Sequence, residues 1–287
     1  MKIGIVSPVL TRVPGAHNDW ETNAGIEELG RIAEAADRLG FHHLTCSEHV
    51  AVPVGVAEQR GATYWDPLAT FGYLAARTSR IRFATQVLVL GYHHPLEIAK
   101  RYGTLDAVSG GRLVLGLGVG SLEEEFDLLG ASFADRGARA DDGLRALRAA
   151  LGRRLPSYDG SHYSFADLVV EPHAVQQQVP FWIGGQGARS LRRAVELGTG
   201  WVPFGLGLDQ LRAMLDTADV PDGFEVVLGA GRALDPIRDP ERVRERLERV
   251  RASGATVIGA SITSTSPEEY VDQLAALAQL AGLEAIA

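Results

Sequence analysis

Apolar runs of strand length alternate with helical patterns along the chain, and this alternation limits the possible folds more than any other feature. The clearest unit spans 81–121, where apolar runs at 81–90 and 113–117 flank a helical pattern that begins at Pro95 and stops at Gly110-Gly111. Runs that are apolar at nearly every position indicate strands covered on both faces, as in a parallel sheet. The unit is therefore predicted to be a right-handed βαβ crossover.

The length of the chain and its strict alternation predict one α/β domain over residues 1–287. About eight strand–helix pairs in a chain of this size are typical of a (β/α)8 TIM barrel, with an insertion region after strand 4. The segment 157–172 is predicted to be an insertion that lies over one end of the sheet. An open, doubly wound sheet is the alternative, with Gly116, Gly118 and Gly120 as a dinucleotide loop, but the third glycine is misplaced for that motif.

The composition excludes several classes of function. A formal net charge of −8 lacks the basic footprint of a nucleic-acid or membrane-surface protein, so neither partner is expected. The single cysteine, Cys46, excludes an internal disulfide and a multi-cysteine metal site, and no metal-binding motif is recognised. The sequence begins without a leader of signal-peptide length and has no apolar stretch long enough to span a bilayer, which predicts a cytoplasmic protein with a small-molecule substrate.

A barrel places the residues that follow each strand around one mouth, where active sites of this fold lie. Taken singly, each such residue is more simply explained as a loop residue that satisfies the backbone. Their convergence is what indicates a site. The residues selected in this way are Ser7, Pro8, Glu48, His49, Gln86 and those after it, and the segments 118–121, 184–188 and 203–205.

Glu48-His49 is the acid–histidine pair at a predicted strand end. A histidine titrates near neutral pH, so His49 is a candidate for proton transfer or cofactor orientation, with Glu48 fixing its tautomer. A capping or packing histidine is the alternative. For His93-His94, which precede Pro95, helix capping and ligand contact stay equally open. His42-His43 comes before the strand core and is predicted to lie at the opposite end of the sheet.

The glycine-rich loop 184–188 follows a predicted buried strand and precedes a helix. Backbone N–H groups at such a helix start converge with the helix dipole on an anion, so the loop predicts a phosphate site. A flexible turn is the alternative. Because no metal or nucleophile motif appears, the sequence favours chemistry carried by a phosphorylated organic cofactor.

Several long motifs occur here in one order. They are Glu48-His49, TQVLVLGYHHPLEIAK (85–100), TLDAVSGGRLVLGLGVG (104–120), EEEFDLLGASFADRGAR (123–139) and PFWIGGQGARSLRRAVELGTGWVPF (180–204). In these motifs the chain resembles the bacterial luciferase-like superfamily, and within it the F420-dependent oxidoreductases.

The resemblance implies a (β/α)8 barrel with an insertion that forms a homodimer and binds F420, or alternatively FMN, at the carboxyl ends of the strands. It implies that His49 lies beside the cofactor with Glu48 next to it, that the peptide bond between Gln86 and Val87 is cis, and that Glu124 lies near the ring. Together with the positions that follow the predicted strands, it gives the predicted cofactor-binding residues: Ser7, Gln86, Val87, Gly118, Gly120, Ser121, Gly184, Gly185, Gln186, Gly187 and Ala188.

The activity implied by the resemblance is hydride transfer between C5 of the deazaflavin and a small organic substrate, with His49 handling the accompanying proton. Two alternatives stay open. One is an FMNH2-dependent monooxygenase that receives reduced flavin from a separate reductase, and the other is a flavin-binding protein without turnover.

Overall fold

In the computed structural model, which describes residues 1–284, eight parallel strands close into a barrel. The strands are β1 (Lys2–Ile5), β2 (His43–Cys46), β3 (Arg82–Thr85), β4 (Leu113–Gly118), β5 (Phe181–Gly185), β6 (Gly200–Pro203), β7 (Glu225–Gly229) and β8 (Val257–Ala260). Each pairs with the next, and β8 pairs with β1. The predicted (β/α)8 barrel is confirmed, and the open-sheet alternative is wrong because β4 pairs with β5 and closes the ring.

Helices surround the barrel. They are α1 (Ile26–Arg38), α2 (Val54–Arg60), α3 (Pro67–Arg77), α4 (Pro95–Ser109), α5 (Glu123–Leu128), α6 (Arg136–Ala150), α7 (Ala188–Leu197), α8 (Leu208–Asp216), α9 (Pro240–Ala252) and α10 (Pro267–Ala281). Local signals set their ends. In α4, Pro95 occupies the first turn, the His94 ring accepts the Leu96 N–H, and Gly110 ends the helix with a φ of 67°. None of the helices within residues 1–284 combines the length and apolar character needed to cross a bilayer.

The core has two layers because strand side chains alternate between the barrel interior and the helices. One small cluster fills the interior, and a larger one joins the outward strand faces to the helices. The interior cluster consists of Ala84, Val114, Trp182, Val202, Val227 and Val257.

Aromatic and charged side chains close the amino end of the barrel. The His42 and His43 rings contact Trp182, whose indole N–H donates to Glu225, and Glu225 also binds Lys2. His43 begins β2 and is fully buried, which confirms that the histidine pair lies opposite the mouth. Burial lowers the pKa of His42 to about 4 and lowers that of His43 as well.

The segment 157–172 does not lie over an end of the sheet, so that part of the prediction is wrong. It forms a hairpin, Tyr158–Asp159 with Ser164–Phe165, that contacts α6, and its Tyr163 ring packs edge-on against His94 at the start of α4. Asp142 of α6 holds it by accepting the Tyr158 hydroxyl at 2.6 Å and the His162 N–H at 2.8 Å. This buried carboxylate fixes the hairpin to the helix layer.

Candidate functional site

A cavity of about 310 Å³ lies at the carboxyl ends of the strands. Two loop segments that pair as a short antiparallel ribbon, Thr11–Arg12 and Thr63–Tyr64, contribute to its wall. Its lining residues are Thr11, Val13, Ser47, Glu48, His49, Tyr64, Gln86, Val87, Val89, Tyr92, Gly118, Val119, Gly120, Ser121, Gly184, Gly185 and Phe204. Most of the predicted site residues therefore share one hollow, and its size falls at the lower end of the range for small-molecule sites.

Ser7 does not line this cavity. It is buried in the barrel wall, where its hydroxyl accepts the Thr45 N–H at 3.1 Å and its own N–H donates to the Thr45 hydroxyl at 3.3 Å. The polar group of Ser7 therefore joins the ends of β1 and β2. Ser7 was predicted from its position after β1, and position alone does not identify this hydrogen-bond partner.

The residues Gln186, Gly187 and Ala188 also lie outside the cavity lining, at the start of α7. The Gly187 carbonyl accepts the Ser190 N–H at 2.9 Å, and the Gly187 N–H donates to the Ser190 hydroxyl at 3.2 Å. Both backbone polar groups of Gly187 therefore form hydrogen bonds that cap the helix. The predicted phosphate site at this helix start stays a prediction.

The peptide bond between Gln86 and Val87 is cis, as expected. Glycines leave room for the Val87 side chain, because a Cβ added at Gly118 would lie 2.6 Å from it and one added at Gly184 would lie 2.9 Å from it. The Ser47 hydroxyl donates to the Gln86 carbonyl at 2.9 Å. The Val87 side chain therefore lies against the ends of β4 and β5 and forms an apolar part of the cavity lining.

Glu48 does not orient His49, so that prediction is wrong. One Glu48 oxygen accepts His93 Nε2 at 2.7 Å, and the other accepts the Val89 N–H at 2.7 Å. Burial alone would lower the pKa of His93, but the hydrogen bond to Glu48 and its charge outweigh burial and raise that pKa. His93 therefore serves as the charge partner of Glu48, whereas His94 caps α4.

The carboxylate that holds His49 is Glu125, which the sequence analysis missed. Glu125 Oε2 lies 2.7 Å from His49 Nδ1, and the Glu125 side chain has no exposed surface. Burial would raise the pKa of Glu125, but hydrogen bonds from Tyr92, His49 and the backbone lower it, so the group is ionised. The Tyr64 ring packs edge-on against the His49 ring at a centroid distance of 4.5 Å.

Glu124, the residue expected near the ring, is exposed on α5. The helical phase of α5 distinguishes the three consecutive glutamates. Leu122 and Phe126 are four residues apart and buried, and Glu125 is on the same face. The spacing of Leu122, Glu125 and Phe126 was the sequence signal that could have identified Glu125.

No group of His, Cys, Asp and Glu side chains within residues 1–284 has an arrangement that could hold a metal ion.

The barrel is closed and parallel, and the cavity at its carboxyl mouth contains an oriented histidine. This arrangement is typical of α/β-barrel enzymes. The family model of the luciferase-like monooxygenases matches residues 1–220, and the chain belongs to that family.

Known relatives and solved structures are similar to this chain over most of its length. An uncharacterized protein of Mycobacterium tuberculosis is 27% identical over 265 residues, which are 85% of this chain and 91% of the relative. The crystal structure of monooxygenase RslO1 from Streptomyces bottropensis is similar with a TM-score of 0.76 and 24% identity, covering 97% of this chain and 98% of that one. The coenzyme F420-dependent tetrahydromethanopterin reductase from Methanopyrus kandleri is similar with a TM-score of 0.74 and 14% identity, covering 99% of both chains. At these identities the two structures support the fold alone.

Proposed function

We propose that this protein is an F420-dependent oxidoreductase that transfers a hydride between deazaflavin C5 and a small organic substrate. The observation that carries the proposal is His49: its Nδ1 is held by a buried carboxylate, its ring lines the cavity, and its Nε2 bonds to no group within residues 1–284. A proton-transfer group at the edge of a site is what hydride transfer to or from oxygen-bearing carbon requires.

The residues present fit a flat, phosphorylated ring system. Val87, flanked by Gly118 and Gly184, offers an apolar face without projecting side chains on either side. Gly120 and Ser121 line the same hollow. At the start of α7, the first-turn N–H groups beyond Gly187 would receive the phosphate.

A bound deazaflavin would supply a hydride donor or acceptor at its C5. The chain itself would hold the ring against Val87 and keep the substrate between the ring and His49. His49 would then donate or accept the proton at the substrate oxygen. Val13, Val119 and Phe204 line the cavity and would limit water there.

An FMNH2-dependent monooxygenase is the second candidate, because RslO1 is a monooxygenase and matches nearly the whole chain. Such an enzyme would need a separate reductase. A flavin-binding protein without turnover is the third possibility. The homodimer and the cytoplasmic location stay predictions, and sedimentation of the purified protein checks the first of them.

Parallel titrations with F420 and FMN, followed by absorbance and fluorescence, separate these candidates. We expect saturable binding of F420. An alcohol substrate should decrease the absorbance of oxidised F420, and a ketone substrate added to reduced F420 should restore it; panels of alcohols and ketones are tested in this way. Tight binding of FMN without any response to F420 would overturn the proposal in favour of the monooxygenase. Binding without turnover by any substrate would support a carrier.

A further inference from the structure

Glu125 is a charged side chain that is completely buried, yet it does not line the cavity. Its two oxygens accept from four donors. Oε1 accepts the N–H groups of Val50 at 2.6 Å and Ala51 at 3.2 Å, and Oε2 lies 2.7 Å from both the Tyr92 hydroxyl and His49 Nδ1. A carboxylate with this many partners is built into the site and is not an accidental neighbour.

These contacts determine which nitrogen of His49 carries the proton. An ionised carboxylate only accepts hydrogen bonds, so Nδ1 of His49 must be the donor toward Glu125. A neutral imidazole has a single N–H group, so Nε2 then presents a lone pair. The partner of one ring nitrogen thus sets the chemistry of the other.

We propose that Glu125 is a positioning residue that holds His49 as the Nδ1–H tautomer and leaves Nε2 to act at the substrate oxygen. The inference rests on the proposed function for the substrate step, whereas the tautomer is a property of the protein alone. The substrate class that fits is an alcohol or the corresponding carbonyl compound. As the alcohol carbon gives up a hydride to the cofactor, the hydroxyl proton moves to Nε2 and a carbonyl forms; in the reverse direction Nε2–H of the imidazolium returns that proton.

Glu125→Gln tests the tautomer with almost no change in shape. The amide oxygen can still accept from Val50 and Ala51, which turns the NH2 group toward His49. Nδ1 must then accept a hydrogen bond, and the proton moves to Nε2. Glu124→Gln, an exposed neighbour on the same helix, is the matched control.

The first measurement is long-range ¹H–¹⁵N NMR of the imidazole rings in the protein without cofactor, with the His49 signals identified by their loss in His49→Gln. We expect neutral His49 to carry its proton on Nδ1 in the wild type and in Glu124→Gln, and on Nε2 in Glu125→Gln. A wild-type His49 with its proton on Nε2 would overturn the proposal.

The second measurement is steady-state kinetics with the cofactor that the titrations identify. In Glu125→Gln we expect kcat to fall about 10²- to 10⁴-fold, while KM and the cofactor dissociation constant stay within a few-fold of the wild type. Loss of cofactor binding in step with kcat would indicate a merely structural role and overturn the proposal. Tyr92→Phe, which removes one donor and leaves the carboxylate on His49, is expected to keep the Nδ1–H tautomer.

The two readouts separate this inference from the proposed function. An Nδ1–H tautomer that reverses in Glu125→Gln, in a protein that turns over neither alcohols nor ketones with F420, would leave the positioning role intact and reject the oxidoreductase. Turnover with F420 that is unaffected in Glu125→Gln would support the oxidoreductase and reject the positioning role of Glu125.

Discussion

Glu48 and His49 are chain neighbours, but their side chains bind different partners on different segments: Glu48 bonds His93, and His49 bonds Glu125. The pairing at Glu48 is largely buried, with 8% of its side chain and 14% of that of His93 exposed. Breaking a buried ion pair by removing one member leaves the other charge without compensation. The Glu48–His93 pair is therefore expected to contribute to stability as well as to shape the cavity.

Replacing His93 tests this contribution. His93→Gln is expected to lower the free energy of unfolding by on the order of 3 kcal/mol, because Glu48 loses its charged partner and keeps only neutral hydrogen-bond donors such as the Val89 N–H. The control is Glu97→Gln, since Glu97 is 45% exposed and lies 3.8 Å from His93, and a change below about 1 kcal/mol is expected there. Urea unfolding of Glu48→Gln, His93→Gln and the double variant gives the coupling energy, and additive effects would contradict the pairing.

The same pair predicts a pH dependence with a definite sign. Because the pKa of His93 is raised in the folded protein, the unfolded chain binds fewer protons at this site. The stabilisation is complete below the unfolded pKa of about 6.5 and is lost as pH rises through the folded pKa. The difference in unfolding free energy between the wild type and His93→Gln should therefore shrink toward alkaline pH, and a difference that grows would contradict it.

His49 is expected to be needed for turnover and not for cofactor binding. His49→Ala removes the proton-transfer group, so kcat should fall about 10²- to 10⁴-fold while the cofactor dissociation constant changes little. His94→Asn is the control, because His94 is exposed and asparagine can still cap α4. Rapid kinetics and cofactor titration of both variants check this, and a normal kcat in His49→Ala would remove His49 from the reaction.

The barrel and most of its mouth were predictable because they depend on patterns that a single sequence displays. Uninterrupted apolar runs mark strands covered on both faces, and the polar residues after them, such as Gln86 and Gly184, must converge once eight strands close. The cis bond after Gln86 followed only from the family resemblance. Nothing in local propensity identifies such a bond.

The pairing of side chains was less predictable because it depends on contacts between distant segments. Adjacent residues at a strand end point to opposite sides, which already argues against Glu48 as the partner of His49. Glu125 is 76 positions away from His49 in the chain, and only the helical phase set by Leu122 and Phe126 singles it out among three glutamates. The position of the hairpin at 157–172 depends on Asp142, whose role no sequence pattern indicated.

Gly118 is predicted to be required for its lack of a side chain. The Cβ of Gly118→Ala would lie 2.6 Å from Val87, so either the strand or the cavity wall must move. Overpacking of this kind costs about 1–3 kcal/mol, and affinity for the cofactor should fall with it. Val87→Ala in the same chain removes the opposing methyl groups and should restore stability. The control Gly72→Ala has no atom within 4 Å and lies in α3, so thermal unfolding should show no loss.

The histidines at the amino end predict a pH dependence opposite in sign to that of His93. Burial lowers the pKa of His42 to about 4, whereas an unfolded histidine titrates near 6.5, so between these values the unfolded chain binds more protons. The free energy of unfolding should therefore fall as pH falls from about 6.5 to about 4, by up to about 1.4 kcal/mol per pH unit from this residue. His42→Gln removes the titrating group and should flatten that slope relative to the wild type. Chemical denaturation at several pH values measures it. An unchanged slope would mean that the His42 ring binds protons equally in the folded and unfolded protein, which would contradict the effect of burial on its pKa.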